Sequence, residues 1–336
     1  MINMSAKLQT RDTRPPKLDT KDLRILRELE LDARQSFGEI ARKAGLSKEV
    51  VLYRVRNLER AGIIRGYITE IDLYQLGFQL YPLLFKFEEM PAQEEANMKE
   101  QLGKSKHVGW AARCDGAWDL NVVLRVRHAA EIAEFFDSFN AKYGNRILDK
   151  ALMHTVSLDY FKRNFELTSE KRETNRTEEV TEAYTLGEKE GKLLRALSED
   201  ARKPVQGLAE AAGVSPPTAM AMIKRLEQQK IIQGYRIFTG FRARGYSYHK
   251  IWLNLKDMKK EDWKALYSFL SFDPYVLWAT RTVGYYDFSI ELEVPDTEVF
   301  HAFVNSMRDR FHDKIRKRDT LLVYEEITMG YLAPVS

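Results

Sequence analysis

Residues 18–67 read LDTKDLRILRELELDARQSFGEIARKAGLSKEVVLYRVRNLERAGIIRGY, and their pattern decides the fold. Leu23, Leu26 and Leu29, with Ile25 one turn over, form an apolar face of period near 3.6, which predicts a helix. Ser36 is a helix cap, Ile40 and Ala44 face inward, and Gly45 ends the second short helix. Ser47 caps a third helix, in which Val51, Val55 and Leu58 fall on one stripe and Gly62 is the stop. Ile63-Ile64 and Gly66-Tyr67 read as the first turn of a β wing or as an extended strand. Three short helices with a glycine-bearing turn before the last are the layout of a helix-turn-helix module.

The same stretch occurs twice. Residues 186–235 read LGEKEGKLLRALSEDARKPVQGLAEAAGVSPPTAMAMIKRLEQQKIIQGY and align without a gap, roughly eighteen of about fifty positions being identical. The register holds downstream, where it matches Gly77 with Gly245, Trp110 with Trp278, Arg113 with Arg281, Gly116 with Gly284 and Asp119 with Asp287. The chain is therefore a tandem repeat of a two-part unit.

After the first helical module the pattern turns strand-like. LYPLLFKFEEM opens at Leu80, with Pro82 marking an edge or irregular position. A helix is predicted over about 92–102. HVGWAARC and WDLNVVLRV form a hairpin about Asp115-Gly116. A helix over about 129–142 places Ile132, Phe135, Phe136 and Phe139 at helical spacing, and ILDKALMHTVSL closes the unit. The order β-α-β-β-α-β is ferredoxin-like, and it recurs over about 247–328. One sheet face is covered by helices, and the sister copy is the expected partner of the other. The fold class is α+β. The expected division is a basic arm over 1–17, a helix-turn-helix over 18–66, and a sensor domain over 67–165. A charged, solvated linker follows over 166–185, then a second helix-turn-helix over 186–234 and a second sensor over 235–333.

The 336 residues, 44% hydrophobic and 30% charged, describe a globular chain with a formal net charge of only +4. A nucleic-acid surface then has to come from local clustering. The third helix supplies it: its non-core face carries Lys48, Glu49, Tyr53, Arg54, Arg56 and, further on, Arg60, flanked by Arg42, Lys43 and Arg65. Guanidinium forks pair with phosphate or with the acceptor edge of guanine. Arg54 lies one residue before Val55 and suits a brace to Asp32 or Glu59 as well as a DNA contact. The second copy keeps the stripe as Ala219, Ile223 and Leu226 but puts Met220, Ala221 and Met222 where the first has Leu52, Tyr53 and Arg54. Only Lys224 and Arg225 remain basic there, so that module reads as a weak reader or a packing element. The arm residues Lys7, Arg11, Arg14 and Lys17 suit a minor groove or a solvated tail.

Other chemistry finds little support. The one cysteine, Cys114, sits in an apolar run and suits a reducing cytoplasm, and no run reaches the roughly 20 residues of a membrane span. The six histidines lack metal spacing, and neither a nucleophile–base set nor a phosphate-cradling loop is visible. No cofactor or metal is expected, and the chain is expected not to be an enzyme.

The unit resembles the Lrp/AsnC (feast/famine) regulators along nearly its whole length. The matching residues are the opening Leu18-Asp19 and Asp22, the Asp32-Ala33-Arg34 triplet, the Gly45-Leu46-Ser47 turn, and the ending Arg54, Leu58, Glu59, Gly62, Ile63 and Ile64. The Gly-x-aromatic-Asp hairpin of that family stands here as Gly116-Ala117-Trp118-Asp119 and Gly284-Tyr285-Tyr286-Asp287. The resemblance implies a regulator that binds double-stranded DNA as a homo-oligomer. It also implies a small effector such as an amino acid near these hairpins, which makes Trp110, Arg113, Gly116, Asp119, Trp278, Arg281, Gly284 and Asp287 candidates. Typical members are single units that dimerise. In this chain the two sensors are expected to pair with each other, and two chains to be needed for a two-fold operator. Siroheme decarboxylases also resemble this family and occur as fused pairs. Their His-Asn-Tyr-x-Arg stretch is Gly109-Trp110-Ala111-Ala112-Arg113 and Leu277-Trp278-Ala279-Thr280-Arg281 here, without the histidine and tyrosine. A sensor or assembly module that does not bind DNA is the third alternative.

Overall fold

In a computed structural model, residues 17–168 and 170–329 are described. The basic arm, apart from Lys17, lies outside them.

Each unit begins with three helices, α1 (Thr20–Leu31), α2 (Phe37–Ala44) and α3 (Lys48–Arg60) in the first. The second unit has α6 (Glu188–Glu199), α7 (Val205–Ala212) and α8 (Pro216–Gln228). The apolar stripes bury as the periodicity demands: Ile25, Leu26, Leu29, Ile40, Val51, Val55 and Leu58 share one core, and Leu193, Leu194, Leu197, Leu208, Ile223 and Leu226 share its counterpart. Burying each such side chain contributes about 1.5–3 kcal/mol. Capping boxes at Asp19 with Asp22 and at Ser36 with Glu39 fix the first two helix starts.

Of the two readings of residues 63–67, wing or extended strand, the structure shows the extended strand. The strand after each third helix, β1 (Ile64–Ile71) or β7 (Ile232–Thr239), pairs with its equivalent in the other unit, antiparallel, Tyr67 opposite Ile237 and Thr69 opposite Tyr235. The physical reason is an edge: each strand leaves its helices with unpaired N–H and C=O groups, and its sister satisfies them.

The ferredoxin-like parts follow. The first has β2 (Gln79–Phe87), α4 (Ala92–Lys104), β3 (Val108–Gly116), β4 (Leu120–Val126), α5 (Ala129–Tyr143) and β5 (Ile147–Phe161). The second has β8 (Ser247–Leu255), α9 (Lys260–Phe272), β9 (Val276–Gly284), β10 (Phe288–Val294), α10 (Thr297–Phe311) and β11 (Ile315–Met329). Their strand orders are β5-β2-β4-β3 and β11-β8-β10-β9. The edges join across the units, β3 to β11 and β5 to β9, so eight strands close into one ring. Helices cover the outside, over Phe85, Phe135 and Phe139 in the first unit and Phe288, Phe303 and Met307 in the second. Inside the ring the units share a core that includes Trp118, Trp252, Tyr286 and Cys114. Burial there pushes the Cys114 thiol up to about 12. Closure removes four exposed sheet edges at once. Pro82 sits in β2 opposite Val123 of β4 and just beyond the β2–β5 ladder, which starts at Leu83, the edge-like position expected of a proline in a strand.

The segment expected to be a solvated linker is folded onto the ring. Its β6 (Thr174–Glu178) pairs with β5. Arg172 is buried, donating to the carbonyls of Val276 and Leu270, with its guanidinium over the Phe161 ring. Alternating short polar side chains on an edge strand make no apolar face, so periodicity did not reveal it.

Candidate nucleic-acid interface

Gly45 ends α2 in the left-handed conformation, and the Ser47 hydroxyl accepts from the Val50 N–H at 3.3 Å. With Val51, Val55 and Leu58 anchored inward, the opposite face of α3 points to solvent. Lys48, Glu49, Tyr53, Arg56 and Arg60 are exposed, Tyr53 to 65%. Lys48, Arg56 and Arg60 form no ion pair among the described residues. Glu49 is anionic: its own backbone N–H and the Ser47 hydroxyl hold its carboxyl below the usual range. It repels phosphate but can accept from a cytosine amine.

Arg54 is committed elsewhere. Its Nη1 donates to Asp19 at 2.8 Å and to Asp22 at 2.8 Å, pinning α3 to the N-terminus of α1. The sequence reading had offered Asp32 or Glu59 as partners. Asp19 and Asp22 win because they cap α1 beside the inner side of α3. The second unit lacks this arginine, Met222 standing in its place, yet keeps the brace. Arg225, one turn further along, pairs with Glu190, the counterpart of Asp22. Gapless alignment hides that exchange, because donor and acceptor do not change at matching positions. The outer face of α8 otherwise carries Pro216, Pro217, Thr218, Met220 and Ala221, all exposed, with an exposed Lys224 that forms no ion pair among the described residues.

The two helical modules are docked to each other. Arg34 donates from Nη1 to the carbonyls of Ala201 and, at 3.4 Å, Lys203. Arg202 does the same in reverse to Ala33 and, at 3.1 Å, Gln35. Arg34 stacks over Tyr235 and Arg202 over Tyr67, and those tyrosines donate to Glu227 and Glu59 at the ends of the third helices. Ala33 and Ala201 complete the exchange by donating backbone N–H to the Tyr235 and Tyr67 carbonyls at 2.9 and 3.0 Å. The Asp-Ala-Arg triplet of each unit thus docks onto the other unit's helical module, against the tyrosine that ties down its third helix, a role no single-unit pattern displays.

The hairpin residues expected to hold an effector do structural work. Asp119 accepts from Lys86 Nζ at 2.6 Å and from the Phe87 N–H at 2.8 Å, and Asp287 accepts from the Leu255 N–H at 2.7 Å. A Cβ at Gly116 would lie 2.4 Å from the Thr320 carbonyl oxygen, and one at Gly284 2.6 Å from that of Leu152. Both glycines also have positive φ, 127° and 134°. They are glycines because the other unit's strand crosses there. Arg113 donates to the Tyr324 hydroxyl at 2.9 Å, and Arg281 lies over the Trp263 ring.

Trp110 and Trp278 instead line a cavity of about 160 Å³ between the β1–β7 ribbon and the ring. Its walls hold ion pairs: Arg236 with Glu70 at 2.8 Å, Arg163 with Glu293 at 2.9 Å, and Lys250 with Glu291 at 2.7 Å. Desolvation raises the Glu70 carboxyl above its ordinary range. Sequence reasoning missed these residues because they come from separate strands of both units and from the segment just after β5.

A family model described as winged helix-turn-helix DNA-binding matches residues 18–65 and 186–233. The leucine-responsive regulatory protein of Rhizobium meliloti (strain 1021) is 42% identical over 82 residues, 24% of this chain and 51% of that protein. The match therefore spans about half of that relative's length. An uncharacterised HTH-type transcriptional regulator of Pyrococcus furiosus is 26% identical over 151 residues, 45% of this chain and 97% of that one. Among solved structures, the siroheme decarboxylase NirDL superposes with a TM-score of 0.61 at 12% identity, covering 94% of this chain and 95% of its own. At that identity the likeness is one of fold.

Proposed function

We propose that this chain, which belongs to the Lrp/AsnC family as a tandem-duplicated form, is a sequence-specific DNA-binding transcription regulator read chiefly through its first helix-turn-helix. The observation that carries the reading is the outer face of α3, where Lys48, Arg56 and Arg60 are exposed and unpaired around Tyr53. A helix of this module enters the major groove with its N-terminal half near base edges, and this is the half that holds Lys48 and Tyr53. Arg54 acts as the brace that aims the helix. The face of α8, proline- and methionine-bearing, supports a weaker second reader. The units complete each other's fold within one chain, and two chains acting on a two-fold site would present two strong readers.

The test is selection of bound fragments from the source genome, then anisotropy titration of the selected duplex across a salt series. Each phosphate contact adds about 0.9 to the slope of log K against log salt. Arg56→Ala lowers affinity about tenfold or more, whereas Lys224→Ala lowers it less. Equal losses, or a flat salt slope, would refute the asymmetric reading.

The whole-chain likeness to a siroheme decarboxylase supports a second reading, tetrapyrrole binding. A Soret band that saturates on titration with an iron porphyrin would favour it. The regulator reading stands first because a cavity near 160 Å³ is of the size that holds a benzene-sized guest, far below a macrocycle.

A further inference from the structure

The cavity beneath the β1–β7 ribbon has in its wall one carboxylate that forms no salt bridge among the described residues. Four glutamates line it, Glu70, Glu291, Glu293 and Glu326, against three cations. Arg236 pairs with Glu70, Lys250 with Glu291, and Glu293 with both Arg163 and, from behind the wall, Arg244. Glu326 is left over: it accepts from the indole Nε1 of Trp110 at 3.2 Å, and no lysine or arginine of the described residues comes within ion-pair reach of it. Arg65, which stands over the Phe238 ring at 4.9 Å, and Arg163 act on it only from a distance. Burial pushes the Glu326 carboxyl up, as expected of a carboxylate without a counter-ion.

The rest of the wall is aromatic and aliphatic. It already shows what its ring faces attract: the Arg236 guanidinium lies 4.2 Å from the centre of Tyr160, and Lys250 Nζ lies 5.6 Å from that of Trp110. Glu326 sits at the indole edge of Trp110, and a wall that already holds cations against its rings, with a carboxylate free of any salt bridge, selects a positive charge over a negative one. The apolar remainder selects a carbon body of about the size of one ring.

We propose that this cavity is a binding site for a small organic amine whose ammonium pairs with Glu326 beside Trp110 and whose apolar body fills the space under the ribbon. The site lies where the two units meet, so its occupant touches the strands that carry both helical modules. It deepens the regulator reading and rests on it for any effect on DNA; binding itself is measured without DNA, so either reading can fail alone.

The experiment is isothermal titration of the full chain with butylamine, benzylamine and phenethylamine, with benzyl alcohol and benzoate as neutral and anionic counterparts. At least one amine binds saturably at one per chain, at least about tenfold more tightly than benzyl alcohol, and benzoate does not compete. Glu326→Gln keeps the shape and lowers amine affinity about tenfold while leaving alcohol binding unchanged. The proposal is overturned if no amine saturates, if benzyl alcohol or benzoate binds as well as the amines, or if Glu326→Gln binds them undiminished. Should that variant fail to fold, the amine-against-alcohol comparison on the unaltered chain decides alone.

Discussion

Replacing Arg34 and Arg202 by alanine tests whether the reciprocal Asp-Ala-Arg contacts set the arrangement of the two helical modules. Each arginine donates to two carbonyls of the opposite module and covers one of its tyrosines. Hydrogen bonds from a charged donor contribute about 1.5–3 kcal/mol each, and a partly exposed cation over an aromatic ring adds about 0.5–1. Both arginines are half-buried, so water enters when one is shortened and rehydrates part of what is orphaned. The lower end applies, about 2 kcal/mol per arginine, a roughly thirtyfold shift in the docking equilibrium. The β1–β7 ribbon still ties the modules, so the loss is one of order between modules, not of either module's fold. Spin labels on Lys48→Cys and Pro217→Cys, in a Cys114→Ser background, report the separation of the two third helices by pulsed dipolar spectroscopy. A narrow distance distribution broadens in Arg34→Ala and further in the double variant, while affinity for a single half-site is unchanged. A distribution that stays narrow, with urea stability unmoved, would show that the ribbon alone positions the readers.

Two further outcomes concern the helical modules. The brace of Arg54 to Asp19 and Asp22 is partly exposed, so Arg54→Ala costs about 1–2 kcal/mol of urea stability, and Asp22→Asn in that background adds little because the pair acts as one. The same coupling holds for Arg225 and Glu190. An additive double variant in either unit would argue against the brace. Lys230 takes φ 55° where the first copy has Gly62 at 72°. Left-handed backbone costs a side-chain-bearing residue about 1–2 kcal/mol, part of which glycine returns as unfolded-chain entropy. Lys230→Gly therefore stabilises by about 0.5–1 kcal/mol in urea, and a destabilised variant would contradict the strain.

The helices, their caps and the two ferredoxin-like halves were legible because they are local. Ser36, Ser47, Gly45 and the Val51-Val55-Leu58 stripe act over one or two turns, and backbone hydrogen bonding within that span needs no distant partner. Duplication was legible as well, since it is a property of the string itself. The exposed basic face of α3 followed from the same stripe, seen from its other side.

The sequence pointed to the sister copy as the partner of each sensor, but not to how the two copies join. A strand's polar edge must be satisfied, but its chemistry is the same along every backbone, so nothing in residues 64–71 names β7 as the partner, nor in β3 names β11. The segment 166–185 looked solvated because its few anchors, Arg172 above all, find their carbonyls about a hundred residues away. Gly116, read from the sequence as part of a ligand loop, also lies at the seam where β11 crosses β3. The cavity is the extreme case: Glu326, Trp110, Glu70 and Arg236 belong to four strands, and only their convergence creates a charge left unpaired. Sequence alone determined that there would be two units and what each would be made of. The tertiary structure decided that they form one closed ring with a pocket at the seam, because buried charges and backbone edges are satisfied by whatever lies nearest in space.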